Sequence, residues 1–347
     1  MHSEMNYDAG EPSQNHAGSL ARRGPLSSPK SGQRLLAWVG VLILLHTSIL
    51  AWGALRQGIT LDETAYLPSG MSHWQFGRFD LFNVNPPLVR TVAALPLLCT
   101  DVQTDWSRYR EGPLTRSEFQ VGIRFIEVNG FRSFWYFTLA RWACIPFSLL
   151  GAYVCCRWAC ELYGPLAGLF ALGLWCLSAN IIAHAQLITP DCGATALGIA
   201  SAYCFWRWLR QPAWSAAFVA GIALGLAELA KTTWIMLFAL WPLLWLLWRW
   251  PERRNLAWKD WRRQGLQIAG ILLLATYVLN LGYGFEGSFR KLGDYQFASR
   301  ALGGPRPPGQ SAATPRNRFR GTWLGRLPVP LPNNYLQGID QTKHEFE

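Results

Sequence analysis

Seven apolar blocks divide the chain, at residues 35–55, 134–156, 165–183, 192–209, 214–230, 232–249 and 266–285. Each approaches the roughly 20 residues that an α-helix needs to cross a bilayer. The pattern predicts an all-α polytopic membrane protein with about seven transmembrane helices. One further apolar stretch, Pro86–Cys99, has 14 residues. That is short for a crossing and suits an interfacial segment, so it is expected to lie as a helix on the outer surface. The polar intervals give the organisation. Residues 1–34 are a Gly-, Ser- and Pro-containing tail, expected to be disordered and cytoplasmic. Residues 35–285 are the membrane domain, with a first extracytoplasmic loop over 56–133. Residues 286–347 are a polar, Pro-rich extracytoplasmic loop or the start of a C-terminal region, holding GGPRPPG at 303–309 and PNNYLQGID at 332–340.

Charge orients these elements. If Pro86–Cys99 does not cross, the N-terminus is cytoplasmic and Asp62 lies outside. Arg207, Arg210, Arg249, Arg253, Arg254, Lys259, Arg262 and Arg263 then fall in short inner loops, while 184–191 outside carries no Lys or Arg. This is the asymmetry of the positive-inside rule. The long loop 56–133 holds eight Arg against eight Asp and Glu, and long loops translocate largely regardless of charge. A plasma or inner membrane is the expected location.

Composition narrows the class further. Half of the 347 residues are hydrophobic and only 15% are charged, well below the roughly 25% of a soluble domain. The net charge of +11 does not imply nucleic-acid binding, because the basic residues sit beside apolar blocks. Most of the eight Cys lie in or beside those blocks, where Cys acts as a small hydrophobe. They form neither a disulfide framework nor a metal-ligand spacing.

Three groups of ionisable residues meet one membrane boundary in this topology, and such positions are functional candidates. They are Asp62-Glu63, Asp191 in AHAQLITPDCG (183–193), and Lys231, three residues after Glu228. A carboxylate there can act as general base toward a hydroxyl or amine. Lys231, Arg141, Arg78 and Arg90 can hold a phosphate through charge-assisted hydrogen bonds. Structural alternatives stand beside these roles. Asp62-Glu63 suits a helix N-terminus, Asp191 the start of a helix after Pro190, and Glu228–Lys231 a helical ion pair. His46 reads as a packed, hydrogen-bonded core histidine. His73 and His184 are further outer-side candidates.

In chain order, DETAY (62–66), NPPL (85–88), Ala140-Arg141, TPD (189–191) and GLAELAK (225–231) resemble the membrane glycosyltransferases of the GT-C class. The nearest branches are the protein O-mannosyltransferase-like and aminoarabinose-transferase-like enzymes. The resemblance covers roughly 35–345. It implies inverting transfer of a hexosyl or pentosyl group from a polyprenyl-phosphate sugar to a protein, lipid or glycan acceptor of the cell envelope. By similarity, Asp62 is the base with Glu63 beside it, and Asp191 is the second acidic position. Arg141 and Lys231 match the family's basic positions, as donor-phosphate contacts or as support for them. Tyr66 and Asn85 complete the candidate substrate-binding set. Asn85 stands where many members have a basic residue or His. No cofactor is required by this chemistry; a divalent metal is compatible with it but no signature indicates one. Family members usually continue into further helices and an extracytoplasmic domain, so the resemblance implies an N-terminal half. The alternative is a non-catalytic protein that binds or transports a lipid-linked sugar. An ion-coupled transporter would need broken helices and midplane carboxylates.

Overall fold

A computed structural model describes residues 29–110, 112, 115–305 and 316–347. The tail over 1–28 and part of the GGPRPPG stretch lie outside the described residues. The helices run α1 (Pro29–Arg56), α2 (Leu61–Phe76), α3 (Leu88–Ala94), α4 (Ser117–Asn129), α5 (Arg132–Tyr163), α6 (Pro165–Leu177) and α7 (Ala179–Ala185). They continue with α8 (Pro190–Arg210), α9 (Trp214–Ala230), α10 (Leu237–Arg249), α11 (Trp258–Gly282), α12 (Arg300–Gly303) and α13 (Asn333–Glu345). Among the described residues there is no β-strand, only two isolated bridges, Lys291–Pro328 and Phe297–Arg316. The chain is an all-α polytopic membrane protein.

The apolar blocks are helical, but 165–183 is broken at Ser178, 232–249 opens as a 3-10 turn, and the helix of 266–285 ends at Gly282. Four helical stretches are long and apolar enough to cross a bilayer: Gly32–Arg56, Arg132–Tyr163, Thr232–Glu252 and Trp258–Gly282. A fifth is a pair, α6 and α7, bent by 57°. The bend falls at Ser178, whose hydroxyl accepts from the Ile181 N–H and so starts the second piece. α9 is apolar but has 17 residues. α8 mixes apolar positions with Ser201, Tyr203 and Arg207, and much of it is enclosed by α5 and α9. The polar tail reading ends sooner than expected, since α1 already begins at Pro29. The Pro86–Cys99 stretch becomes α3 plus a 3-10 turn, Leu95–Cys99, a length of about 20 Å at the rises of the two helix types.

The two ends of the bundle differ in charge. Arg249 reaches the Leu209 carbonyl and Gln264, and Arg263 reaches the Pro212 carbonyl, so the ends of α8 and α10 and the starts of α9 and α11 share one basic surface. The start of α8 and the end of α9, with Asp191 and Lys231, lie at the other end. α8 holds them apart by about 30 Å.

α2 is the element that positions the acidic pair, and it is enclosed. Residues 63–73 are buried, between α3 on one side and α4 on the other. Two glycines make this possible. A Cβ on Gly70 would stand 2.1 Å from the Arg90 carbonyl oxygen, and one on Gly122 would stand 2.0 Å from that of Thr64. Only a glycine lets the backbones meet this closely. Leu67, Met71, Ala93, Phe125, Phe137 and Ala227 then form one apolar core that joins α2, α3, α4, α5 and α9. His46 is buried as expected. A carbonyl can only accept, so its Nδ1–H donates to Cys176 O (2.8 Å), and Nε2 accepts from the Ser148 hydroxyl (2.9 Å).

Candidate functional site

The two residues of the acidic pair have opposite surroundings. Asp62 is exposed at the start of α2, and Glu63 is fully buried. The local sequence gives the reason. Thr60 precedes the helix, and TLDE has the T-x-x-E spacing of a capping box. The Glu63 carboxylate turns back to accept from the Thr60 N–H and hydroxyl, both at 3.0 Å. The next residue back along the turn, Asp62, faces out.

Glu63 is also the partner of Arg141 on α5. Arg141 Nε donates to Oε1 at 2.7 Å and Nη2 to Oε2 at 2.6 Å, the bidentate geometry that guanidinium groups favour. Nη1 donates to the Ala54 and Gln57 carbonyls, and Nη2 to that of Gly58. A guanidinium has five N–H donors, and all five are taken. Arg141 therefore ties the end of α1 to the start of α2, and its donors are all engaged within the protein. The fifth contact of Glu63 is the Ile188 N–H at 3.2 Å. It draws the loop that carries Asp191 against the start of α2.

Asp191, in the first turn of α8, bonds to Lys231 Nζ at 2.8 Å, with His184 Nδ1 at 3.7 Å. All three side chains are partly exposed. The expected Glu228–Lys231 ion pair does not form. α9 ends at Ala230, and Lys231 has extended backbone, φ −156° and ψ 133°, so its side chain leaves the face that carries Glu228. Glu228 is buried and accepts instead from the Tyr335 hydroxyl at 2.6 Å. This contact was not legible in the sequence, since the two residues are 107 positions apart.

Tyr66 faces the same region. Its hydroxyl accepts from Asn85 Nδ2 at 2.7 Å. Burial pushes the phenol up from its usual range; Arg90 opposes this, and the charges of Asp62 and Asp191 add to it. Tyr66 is thus within electrostatic reach of both carboxylates and stays protonated. Arg90 is buried, donates to the Asn85 and Phe82 carbonyls at 2.7 Å and to His73 Nε2 at 3.4 Å, and burial lowers it to about 10. These bonds shape the Phe82–Pro87 turn. His73 is buried too, with Nδ1 2.7 Å from Thr91 Oγ1, and burial and then Arg90 hold it well below the usual histidine range. Arg78 lies farther along, paired with Asp80 at 2.5 Å and near Tyr109.

The structure thus gathers Asp62, Tyr66, Asn85, Asp191, Lys231 and His184 around the start of α2, backed by the Glu63–Arg141 pair. Arg90 is packed behind this group and Arg78 stands apart. An exposed carboxylate beside a carboxylate–ammonium pair can accept a proton and hold an anionic or hydroxyl-bearing group.

Residues 117–286 match the family model described as dolichyl-phosphate-mannose-protein mannosyltransferase. The matched segment runs from the start of α4 to just beyond α11. It contains Arg141, Asp191 and Lys231, and the Glu63–Arg141 pair ties Asp62 to it. No curated protein and no solved structure matches the chain.

Proposed function

We propose, from the premise that residues 117–286 are a domain of the dolichyl-phosphate-mannose-protein mannosyltransferase family, of GT-C type, that this chain transfers a glycosyl group from a polyprenyl-phosphate sugar to an acceptor on the extracytoplasmic face. The observation that carries the reading is the split fate of the acidic pair. Glu63 is held by Arg141, and its neighbour Asp62 is left exposed at the rim of the group that Asp191 and Lys231 complete.

In this mechanism Asp62 takes the proton of the acceptor hydroxyl as its oxygen attacks the anomeric carbon. The bond from that carbon to the phosphate oxygen breaks, and the polyprenyl phosphate leaves with the electron pair. Phosphate is a good leaving group, so no strong acid is needed at the donor. One direct displacement inverts the anomeric centre. Lys231 is the cation for charge that grows on the leaving phosphate. Asp191 orients Lys231, and Tyr66 and Asn85 offer hydrogen bonds to the sugar. The displacement as written requires no cofactor. The donor sugar is mannose by the name of the matched family, and the basic surface at the far end of α8 supports the assignment of the Asp62 end to the outside.

The test uses the purified chain in nanodiscs with labelled polyprenyl-phosphate mannose. Asp62→Asn is expected to lower sugar release by 10²-fold or more, in line with the roughly 10²–10⁴-fold worth of a positioned base. Thermal stability is expected to change little, because Asp62 is exposed. Release undiminished in Asp62→Asn would remove Asp62 from the mechanism. Donor binding without release in the native chain would favour a lipid-sugar binding protein.

A further inference from the structure

α11 carries an apolar stripe on its outside, and the stripe does not stop where the helix does. Leu266, Leu273, Tyr277 and Leu281 are all exposed, at spacings of seven, four and four that put them on one side of the helix. α11 is long and apolar enough to cross a bilayer, so this side meets acyl chains. Phe285 comes four residues after Leu281, beyond the end of the helix at Gly282. Its ring is exposed and meets the Tyr277 ring edge-on at 5.6 Å. The apolar surface of α11 therefore continues onto the chain that follows it. Phe289, four residues later again, is 62% exposed. Both phenylalanines have left-handed backbone, with φ of 58° and 64°. Bulky residues rarely adopt it, and such strain clusters where a protein meets a ligand. Glycine is the unstrained choice for such a bend; here each bend presents an aromatic ring instead.

A cavity of about 300 Å³ opens beside this turn, between residues 291–294 and 320–326. The Phe289 N–H donates to the Val329 carbonyl at 2.8 Å and the Leu292 N–H to that of Leu327 at 3.0 Å, which fixes the walls of the cavity to the turn. Lys291, Arg320 and Arg326 line it against one carboxylate, Asp294. All four are exposed. Among the described residues, the three cationic side chains make no hydrogen bond and no ion pair. Their neighbours in sequence are engaged: Arg290 donates to the Asp294 carbonyl, Arg316 to that of Gly304 and Arg318 to that of Ala301. Three unengaged cations around one concavity leave a positive field that selects an oxyanion.

We infer that the turn after α11 and this cavity together bind an anionic phospholipid of the leaflet at that end of the bundle, with the Phe285 and Phe289 rings among the acyl chains and the headgroup phosphate on Lys291, Arg320 and Arg326. Two independent observations meet in this ligand. The continued stripe fits a membrane surface, the cavity fits an anion, and an anionic lipid has both parts. A soluble acidic peptide would satisfy the cavity and leave the two rings in water. The cavity lies beyond residue 286, where the family match ends, and the inference does not depend on glycosyl transfer. Its consequence is positional. The lipid pins to the membrane the segment that leads on to α13 and Tyr335.

The test reads lipid contact and needs no turnover. A photoreactive benzophenone would replace the Phe289 ring in the full chain, in nanodiscs of equal phosphatidylcholine and phosphatidylglycerol, with the adducts identified by mass spectrometry. The same group in place of the Phe346 ring, exposed after α13 and not on this stripe, is the control. Adducts at 289 are expected to be lipid, enriched in phosphatidylglycerol by about fivefold or more, the weight of one basic residue near an anionic surface. The control is expected to give none. Arg320→Gln with Arg326→Gln removes two exposed, unengaged cations, and is expected to abolish the enrichment with the melting temperature retained. Asp294→Asn is expected to raise it. Absence of lipid adducts at 289, equal lipid labelling at 346, equal labelling by the two lipids, or enrichment unchanged in the double variant would overturn the inference. Loss of the enrichment with inorganic phosphate, but not with sodium chloride of equal ionic strength, would overturn it in favour of a free phosphate. Displacement of the lipid adducts by an acidic peptide would overturn it in favour of a protein partner.

Discussion

Single residues decide which carboxylate is available. Asp62 and Glu63 are adjacent and chemically alike, yet one is anchored and the other exposed. The difference comes from Thr60, which turns Glu63 back along the helix, and from Arg141, whose five donors all find acceptors within the protein. Removing one member of a buried ion pair leaves the other charged and unpaired, which costs about 3–5 kcal/mol. Arg141→Met is therefore expected to lower stability by that order, read as a fall in the thermal unfolding midpoint in detergent. A loss below about 1 kcal/mol, the range of exposed pairs, would mean that water reaches Glu63.

Between elements, the packing of α2 against α3 brings a pH dependence. His73 on α2 meets Thr91 and Arg90 on α3, and it is held neutral because burial, and then Arg90, disfavour its cation. The folded-state value lies below the unfolded one near 6.5. Between those two values the unfolded chain binds a proton that the native chain does not, so stability rises with pH. The loss begins as pH falls below about 6.5, with a slope of at most about 1.4 kcal/mol per pH unit. Protection factors of residues 79–91, taken relative to the intrinsic exchange rate at each pH, are expected to fall between pH 7.5 and pH 5, and His73→Gln is expected to flatten that change. Equal protection factors in the native chain at both values would show that the packing tolerates a charged His73.

Across the whole molecule, the polar segment after α11 is an integrated part of the fold. α13 reaches the membrane helices through Tyr335 and Glu228, and it meets the loops that flank α3 where Gly338 packs on Asn83 and Arg116 bonds to Glu345. Asp340 accepts from the Ala298 and Ser299 N–H groups and the Ser299 hydroxyl, which ties the segment to itself. Tyr335→Phe leaves Glu228 buried without its one hydrogen bond, at a cost of about 1–3 kcal/mol. Faster proteolysis within 316–345 is the expected signature, with the membrane core still protected. Unchanged proteolysis would assign the docking of α13 to its apolar contacts alone.

The sequence by itself determined the class of this protein and the residues at one membrane boundary. Long apolar blocks have one stable form in lipid, since a helix satisfies every backbone polar group within its own segment. That is a local constraint, and composition alone satisfies it. The five short motifs in DETAY, NPPL, Ala140-Arg141, TPD and GLAELAK likewise brought Asp62, Asp191 and Lys231 to attention, and a T-x-x-E at Thr60 could have marked Glu63 as inward-turned. Only the tertiary structure decided roles within that set. It spent Arg141 on Glu63 and Arg90 on backbone carbonyls, and it gave Lys231 to Asp191 and Glu228 to Tyr335. For Arg141, Lys231 and Glu228 the partner lies 78, 40 and 107 positions away, brought close by packing, and no periodicity along the chain encodes that distance.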